Sequence, residues 1–162
     1  MVTLVIRPAE RDDVPDIVRL IRALADYERL LPEMKASDDD LAAALFGAAP
    51  RVFCDVARLD GQTVGFALWF YTFSTFVGRH GIWLEDLFVE PERRGHGIGK
   101  ALLSGLAARC LAENLGRLEW TVLDWNAPSI AFYESLGARP MSDWTTYRLT
   151  GDALAATGGR TS

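Results

Sequence analysis

Residues 2–7 mix apolar and polar positions in the short, β-rich manner of a strand, which Pro8 closes. The period then changes. Ile17, Leu20, Ile21, Leu24 and Ala25 recur at helical spacing. Asp12 or Asp13 ahead of them can accept from the first free backbone N–H groups, so a helix is predicted to about Leu30, with Pro32 as its stop. Ser37 with Asp40 three positions on has the form of a capping pair, and predicts a short helix through Phe46 with Gly47 as a left-handed exit. Residues 51–59 and 63–73 are β-rich runs joined by Asp60 and Gly61, a pair that tolerates positive φ and predicts an antiparallel hairpin. Residues 82–89 form a further strand that Pro91 ends.

Beyond that point the period is helical again. Leu102, Leu103, Leu106, Ala107, Cys110 and Leu111 follow Ile98 as an apolar stripe, with Gly116 as the predicted end of the helix. Residues 118–123 are strand-like. Asn126 stands as an N-cap with Pro128 in the first turn of a helix that runs to Leu136 before Gly137. Residues 145–149 are read as a last strand, and the small, polar stretch from Gly158 as a loose tail. The order predicts an α/β domain over residues 1–157, a single mixed, mostly antiparallel sheet flanked by helices, with residues 158–162 outside it.

Composition narrows the class. A chain of 162 residues with 49% hydrophobic and 24% charged residues suits one folded domain. The net charge is -5, and no basic block exceeds Arg93 and Arg94, so a nucleic-acid partner is excluded from the reading. No apolar run approaches the roughly 18 to 20 residues that span a bilayer, and the first residues lack the pattern of a secretory signal. These features, with Cys54 and Cys110 placed where apolar thiols are ordinary, fit a reducing cytoplasm and no membrane. His80 and His96 have no second ligand at metal spacing, so no metal is expected.

The chemistry concentrates between the strand at 82–89 and the helix from Ile98. Gly95, Gly97 and Gly99 carry no Cβ, which allows main-chain N–H groups to approach a ligand where a helix begins. Arg94 and Lys100 add positive charge. This suits a diphosphate. A P-loop requires a Lys followed by Ser or Thr, and Lys100 is followed by Ala101; a dinucleotide fingerprint requires a parallel unit, and the strands before it form a meander. Neither fits.

Arg94, Gly97 and Gly99 match the Gln/Arg-x-x-Gly-x-Gly/Ala signature of GNAT acetyltransferases, and the chain resembles that superfamily over about residues 4–150. Tyr27 and Glu28, the run at 83–89 and the run at 125–133 resemble its diamine branch, the spermidine/spermine and thialysine N-acetyltransferases. The resemblance implies acetyl-CoA as donor. It places the pantetheine arm on the backbone of Leu87, Phe88 and Val89, and the pyrophosphate on Arg94, Gly95, His96, Gly97, Ile98, Gly99 and Lys100. Asn126, Ser129 and Tyr133 are implied to line the far side of the cofactor cleft, and the branch implies a homodimer.

The acceptor amine titrates near 10.4, so at pH 7 on the order of one molecule in 10³ has a free lone pair. A base is required. Glu85, in an apolar strand, is the candidate base, with a pKa expected to rise by desolvation, and Tyr133 the candidate acid for the departing thiolate. Tyr27, Glu28, Glu85 and Asp86 are the candidate acceptor-binding residues for a small-molecule amine. Before the last predicted strand, where that branch commonly carries acidic residues, this chain has Asp143, Trp144, Thr145 and Thr146. That departure leaves shorter amines and thialysine-like amino acids as acceptors beside polyamines. Two alternatives stay open: a protein or peptide N-acetyltransferase, and a CoA-binding module without turnover.

Overall fold

The structure, a computed structural model, describes residues 1–159. It resolves into two compact units, Met1–Leu123 and a second from Asp124 onward. The first holds one sheet of five strands in the order β1 (Leu4–Pro8), β2 (Phe53–Leu59), β3 (Gln62–Ser74), β4 (Arg79–Val89) and β5 (Leu118–Trp120). Successive pairs from β1 to β4 are antiparallel, and β4 with β5 is parallel. Three helices belong to the same unit: α1 (Val14–Tyr27), α2 (Asp38–Phe46) and α3 (Ile98–Ala112). The second unit carries α4 (Ala127–Ser135) and α5 (Gly151–Thr157). The mixed, mostly antiparallel sheet with flanking helices is as the apolar pattern predicts.

Residues directly opposite on antiparallel strands share a face of the sheet. Cys54, Leu68 and Asp86 form one such row, and Phe53, Trp69 and Leu84 the next. Cys54, Val56, Phe66, Leu68 and Phe88 pack with Ile17 and Leu20 of α1 and Leu41 and Leu45 of α2, so the first row faces these two helices. Trp69 faces the other way, and Arg109 of α3 lies over its ring. Leu84 and Asp86 therefore point to opposite faces although they are two residues apart. A register shift makes this possible: Leu68 pairs with Asp86 and Trp69 with Leu84, which leaves Glu85 as the extra residue of a β-bulge.

The turns are those local chemistry favours in most places. Ser37 accepts from Asp40 N and Asp40 from Ser37 N, the reciprocal cap expected for α2. Asp60 and Gly61 both have positive φ in the β2–β3 turn.

Several expectations are corrected. Gly47 leaves α2 at φ -71, not in the left-handed region; a Cβ there would lie 2.5 Å from Ala43 O, so close approach is what requires glycine. Helix α1 ends at Tyr27 rather than Leu30, because Arg29 turns left-handed at φ 62 and Leu30 N bonds back to Ala25 O. Pro32 then lies in a separate 3-10 turn. Helix α3 ends at Ala112, and Asn114 at φ 55, not Gly116, makes the left-handed exit. β5 stops at Trp120, short of 123. The strand expected at 145–149 does not form: no ladder takes up its backbone, and Tyr147 is 91% exposed, so β propensity without a partner leaves the segment irregular. Helix α5 follows it instead. Of the predicted tail, Gly158 and Gly159 form a turn, and 160–162 lie outside the described residues.

Candidate active site

Strands β4 and β5 pair only at Ile82 with Leu118, Trp83 with Glu119 and Leu84 with Trp120. Pairing stops where the bulge begins. From Glu85 to Val89 the side of β4 that turns away from β3 has no strand along it among the described residues, so its main-chain polar groups, apart from Val89 O, which Arg94 Nε occupies, are open to a ligand lying in extended form. Leu87, Phe88 and Val89, the residues implied to bind an extended cofactor arm, occupy this stretch.

The chain then turns directly into α3. Pro91–Arg93 makes one 3-10 turn, Gly95 and Gly97 follow at φ 78 and 77, and Gly97 is the residue before the helix. Ala101 N donates to Gly97 O at 2.9 Å, the first bond of α3, and no side chain caps the helix. The amides ahead of Ala101 are the unpaired donors of a helix N-terminus. A Cβ at Gly95 or Gly97 would meet nothing within 4 Å, and at Gly99 only a Val89 methyl at 3.8 Å. Positive φ explains the first two glycines; for Gly99 the protein itself supplies no steric reason. Open space over uncapped amides at a positive dipole end fits a diphosphate.

Neighbouring side chains set this turn. Ile98 is 2% exposed and anchors the helix start in the core, while Lys100 is exposed. Nδ1 of His96 lies 2.9 Å from Arg94 O. Arg94 does more than carry charge: its Nε donates to Val89 O at 3.0 Å, and its guanidinium stacks between the rings of Tyr27, 4.9 Å, and Phe88, 5.3 Å. It ties the end of α1 to the end of β4. Arg19 was not singled out by its sequence context. It pairs with Glu90 and donates to Thr63 O, which fixes the approach to the turn across 71 positions, and no local pattern signals a contact of that range.

The carboxylates separate by burial. Glu85, at the bulge, is exposed and accepts from Trp83 Nε1 at 3.1 Å, so the desolvation expected of it is absent. That environment belongs to Asp86. Burial first, then the negative charges of Glu85 and Glu28, push the Asp86 carboxyl up to about 7. Burial likewise raises Glu28, the residue that closes α1 after Tyr27. The structure thus brings Tyr27, Glu28, Glu85, Asp86, the outer edge of β4 and the glycine turn into one unit. Cys54 and Cys110 are buried free thiols whose pKa values burial raises, which makes them poor nucleophiles. Among the described residues no group of three metal-binding side chains occurs, and no helix is long and apolar enough to cross a membrane.

Asn126, Ser129 and Tyr133 belong to the second unit. Asn126 is buried and its Oδ1 accepts from Ser129 N at 3.4 Å, the N-cap the sequence predicts for α4. Tyr133 lies in the last turns of that helix, its ring 5.5 Å from Phe132.

Residues 17–138 match the family described as Acetyltransferase (GNAT) family. A thialysine N-epsilon-acetyltransferase of Sus scrofa is 36% identical over 99% of this chain and 100% of its own length. An L-ornithine N5-acetyltransferase of Arabidopsis thaliana is 31% identical over 93% of this chain and 86% of its own. An integron cassette protein from the mobile metagenome of V. cholerae superposes with a TM-score of 0.80 at 28% identity, covering 96% of this chain and 97% of that one.

Proposed function

The chain belongs to the GNAT acetyltransferase family, and from that premise we propose that it moves the acetyl group of acetyl-CoA directly onto a primary amine of a small molecule, a diamine, polyamine or thialysine-like amino acid. The observation that carries the proposal is the uncapped start of α3 behind Gly95 and Gly97, reached without interruption from the unpaired edge of β4. Acetyl-CoA supplies an activated acetyl thioester. The amides from Gly95 to Lys100 hold its diphosphate, with Arg94 and Lys100 adding charge, and the backbone of Leu87, Phe88 and Val89 holds its extended arm.

Glu85 takes the proton of the acceptor ammonium, directly or through a water. Its exposure favours the latter, since a solvated carboxylate at a bulge is placed to order water beside the incoming amine. A main-chain N–H of the 87–89 segment is the donor for negative charge that develops on the acyl oxygen. Tyr133 returns a proton to the leaving thiolate, with Asn126 and Ser129 shaping its helix. Tyr27, Glu28 and Asp86 bind the acceptor, two carboxylates and a ring being suitable partners for an alkylammonium. The pig and Arabidopsis relatives, named for thialysine and L-ornithine, support a short amine that ends an amino-acid side chain. A homodimer and a cytoplasmic location are part of the same reading.

Thiol release from acetyl-CoA, followed with thialysine, ornithine, putrescine, spermidine and a short peptide, tests the whole. Turnover is expected with the small amines, kcat should fall by about 10² or more in Glu85→Gln and in Tyr133→Phe, and the peptide should be the poorest acceptor. Acetyl-CoA binding without thiol release on any amine, or full rates in both variants, would refute the proposal.

A further inference from the structure

The end of α1 lies over the face of β4 that carries Asp86. Asp86 pairs with Leu68 and Phe88 with Phe66, so Asp86 and Phe88 share that face, and Phe88 is 4% exposed in the core that Ile17 and Leu20 of α1 also build. Tyr27, the last residue of α1, packs half-buried against the same core. Glu28 follows it, near enough for its charge to act on Asp86. From the other direction comes Arg94, the residue before the first glycine of the turn. Its guanidinium lies 4.9 Å from the centre of the Tyr27 ring and 5.3 Å from that of Phe88, and its Nε donates to Val89 O at 3.0 Å.

A guanidinium offers two kinds of contact at once, planar faces that stack on rings and an N–H edge that binds oxygen. In Arg94 the faces meet rings and Nε is taken by a main-chain carbonyl, and among the described residues the side chain makes no ion pair. The Nη donors therefore remain for an anion at the glycine turn. A flexible arginine loses rotamer freedom when an anion fixes it, and one already held by two rings loses less, so the stack prepares the edge for phosphate. The converse follows by linkage. An anion on the edge fixes the guanidinium, and the fixed guanidinium holds the Tyr27 ring and the α1 end that carries Glu28.

We propose that Arg94 is a positioning residue that couples the two substrate sites: its edge takes the cofactor phosphate while its face holds Tyr27, so that bound acetyl-CoA orders Tyr27 and Glu28 for the amine. This coupling rests on the acetyl-transfer reading above and deepens it. A side chain assigned to the acceptor thereby acts on the affinity of the donor, and the amine binds better once acetyl-CoA is in place.

Acetyl-CoA affinity, measured by calorimetry without amine in wild type, Tyr27→Leu, Arg94→Gln and the double variant, tests the coupling. Leucine keeps apolar bulk in the core without a ring face, and glutamine places a nitrogen donor at the chain length of Nε without the cation. Tyr27→Leu should weaken binding about three- to fivefold, the range of one exposed cation–π contact. In the Arg94→Gln background the same change should cost less than about 1.5-fold, since the contact is already gone. Tyr27→Phe, which restores the ring, should bind acetyl-CoA as the wild type does. At saturating acetyl-CoA, Arg94→Gln should raise KM for thialysine about three- to fivefold, more than it lowers kcat, whereas a residue that only gripped phosphate would leave that KM alone. Unchanged affinity in Tyr27→Leu, an equal loss in both backgrounds, a loss in Tyr27→Phe as large as in Tyr27→Leu, or an unchanged thialysine KM in Arg94→Gln would each overturn the coupling, and with wild-type turnover intact would leave acetyl transfer standing. A wild type that binds acetyl-CoA but acetylates no amine would refute the transfer reading, and the four-variant binding cycle would then decide the coupling alone.

Discussion

Leu84 and Asp86 face opposite sides of the sheet because Glu85 is one residue too many for the β3 ladder. That residue decides which acid is solvated and which is not. Glu85 stays in water beside Trp83 Nε1, and Asp86 takes the burial, with a carboxyl pushed up to about 7 by that burial and by Glu85 and Glu28. An unfolded aspartate titrates near 3.9, so the native state binds this proton more tightly than the unfolded chain. Its contribution to stability is fully present below about pH 3.9 and is lost as pH rises through about 7. Urea midpoints of the wild type and Asp86→Asn at pH steps from 4 to 8 should show the difference moving steadily against the wild type across that window. A constant difference at every pH would contradict the burial assigned to Asp86.

At the scale of elements, the start of α3 separates glycines that serve the backbone from one that does not. Gly95 and Gly97 have positive φ, whereas Gly99 lies inside the helix where alanine is favoured by about 1 kcal/mol. A Cβ there meets only Val89 at ordinary contact distance. Gly99→Ala is therefore expected to raise the melting temperature slightly while weakening acetyl-CoA binding about tenfold or more, measured by calorimetry. Unchanged affinity would remove the ligand from this turn. Gly47 gives the opposite case. Its Cβ would stand 2.5 Å from a main-chain oxygen that the α2 helix holds in place, so Gly47→Ala should lower stability by about 1 to 3 kcal/mol in denaturant titrations and leave kcat alone.

Across the whole molecule the balance is acidic, with net charge -5, and Glu28, Glu85 and Asp86, the acids proposed to bind or deprotonate the acceptor, belong to one unit. A cationic acceptor approaches a surface that attracts it, and salt screens that attraction over about 8 to 10 Å at physiological strength. kcat/KM for a dicationic diamine is expected to fall as ionic strength rises from low to physiological, and to fall less for a monocation of equal length. Parallel curves for the two would show that the acids do not steer the substrate.

Much of this was legible in the residues alone. Periods of 3.6 and 2, the Ser37–Asp40 cap, the Asp60–Gly61 turn and the strand, glycine turn and helix around 82–112 are properties of neighbours in the chain, and neighbours are what a sequence displays. Arg94, Gly97 and Gly99 pointed to the family for the same reason, since a helix N-terminus and the turn before it are built from consecutive residues. What depended on distant partners was hidden. Residues 145–149 have strand composition but no ladder to join, Arg94 is held by a tyrosine 67 positions earlier, and the bulge at Glu85 exists only because β3 presents a register one residue short. Local chemistry determined the elements and the place of the glycine turn. Only tertiary pairing decided which acid is buried, because burial and register are set by the strand alongside and not by the residues before and after.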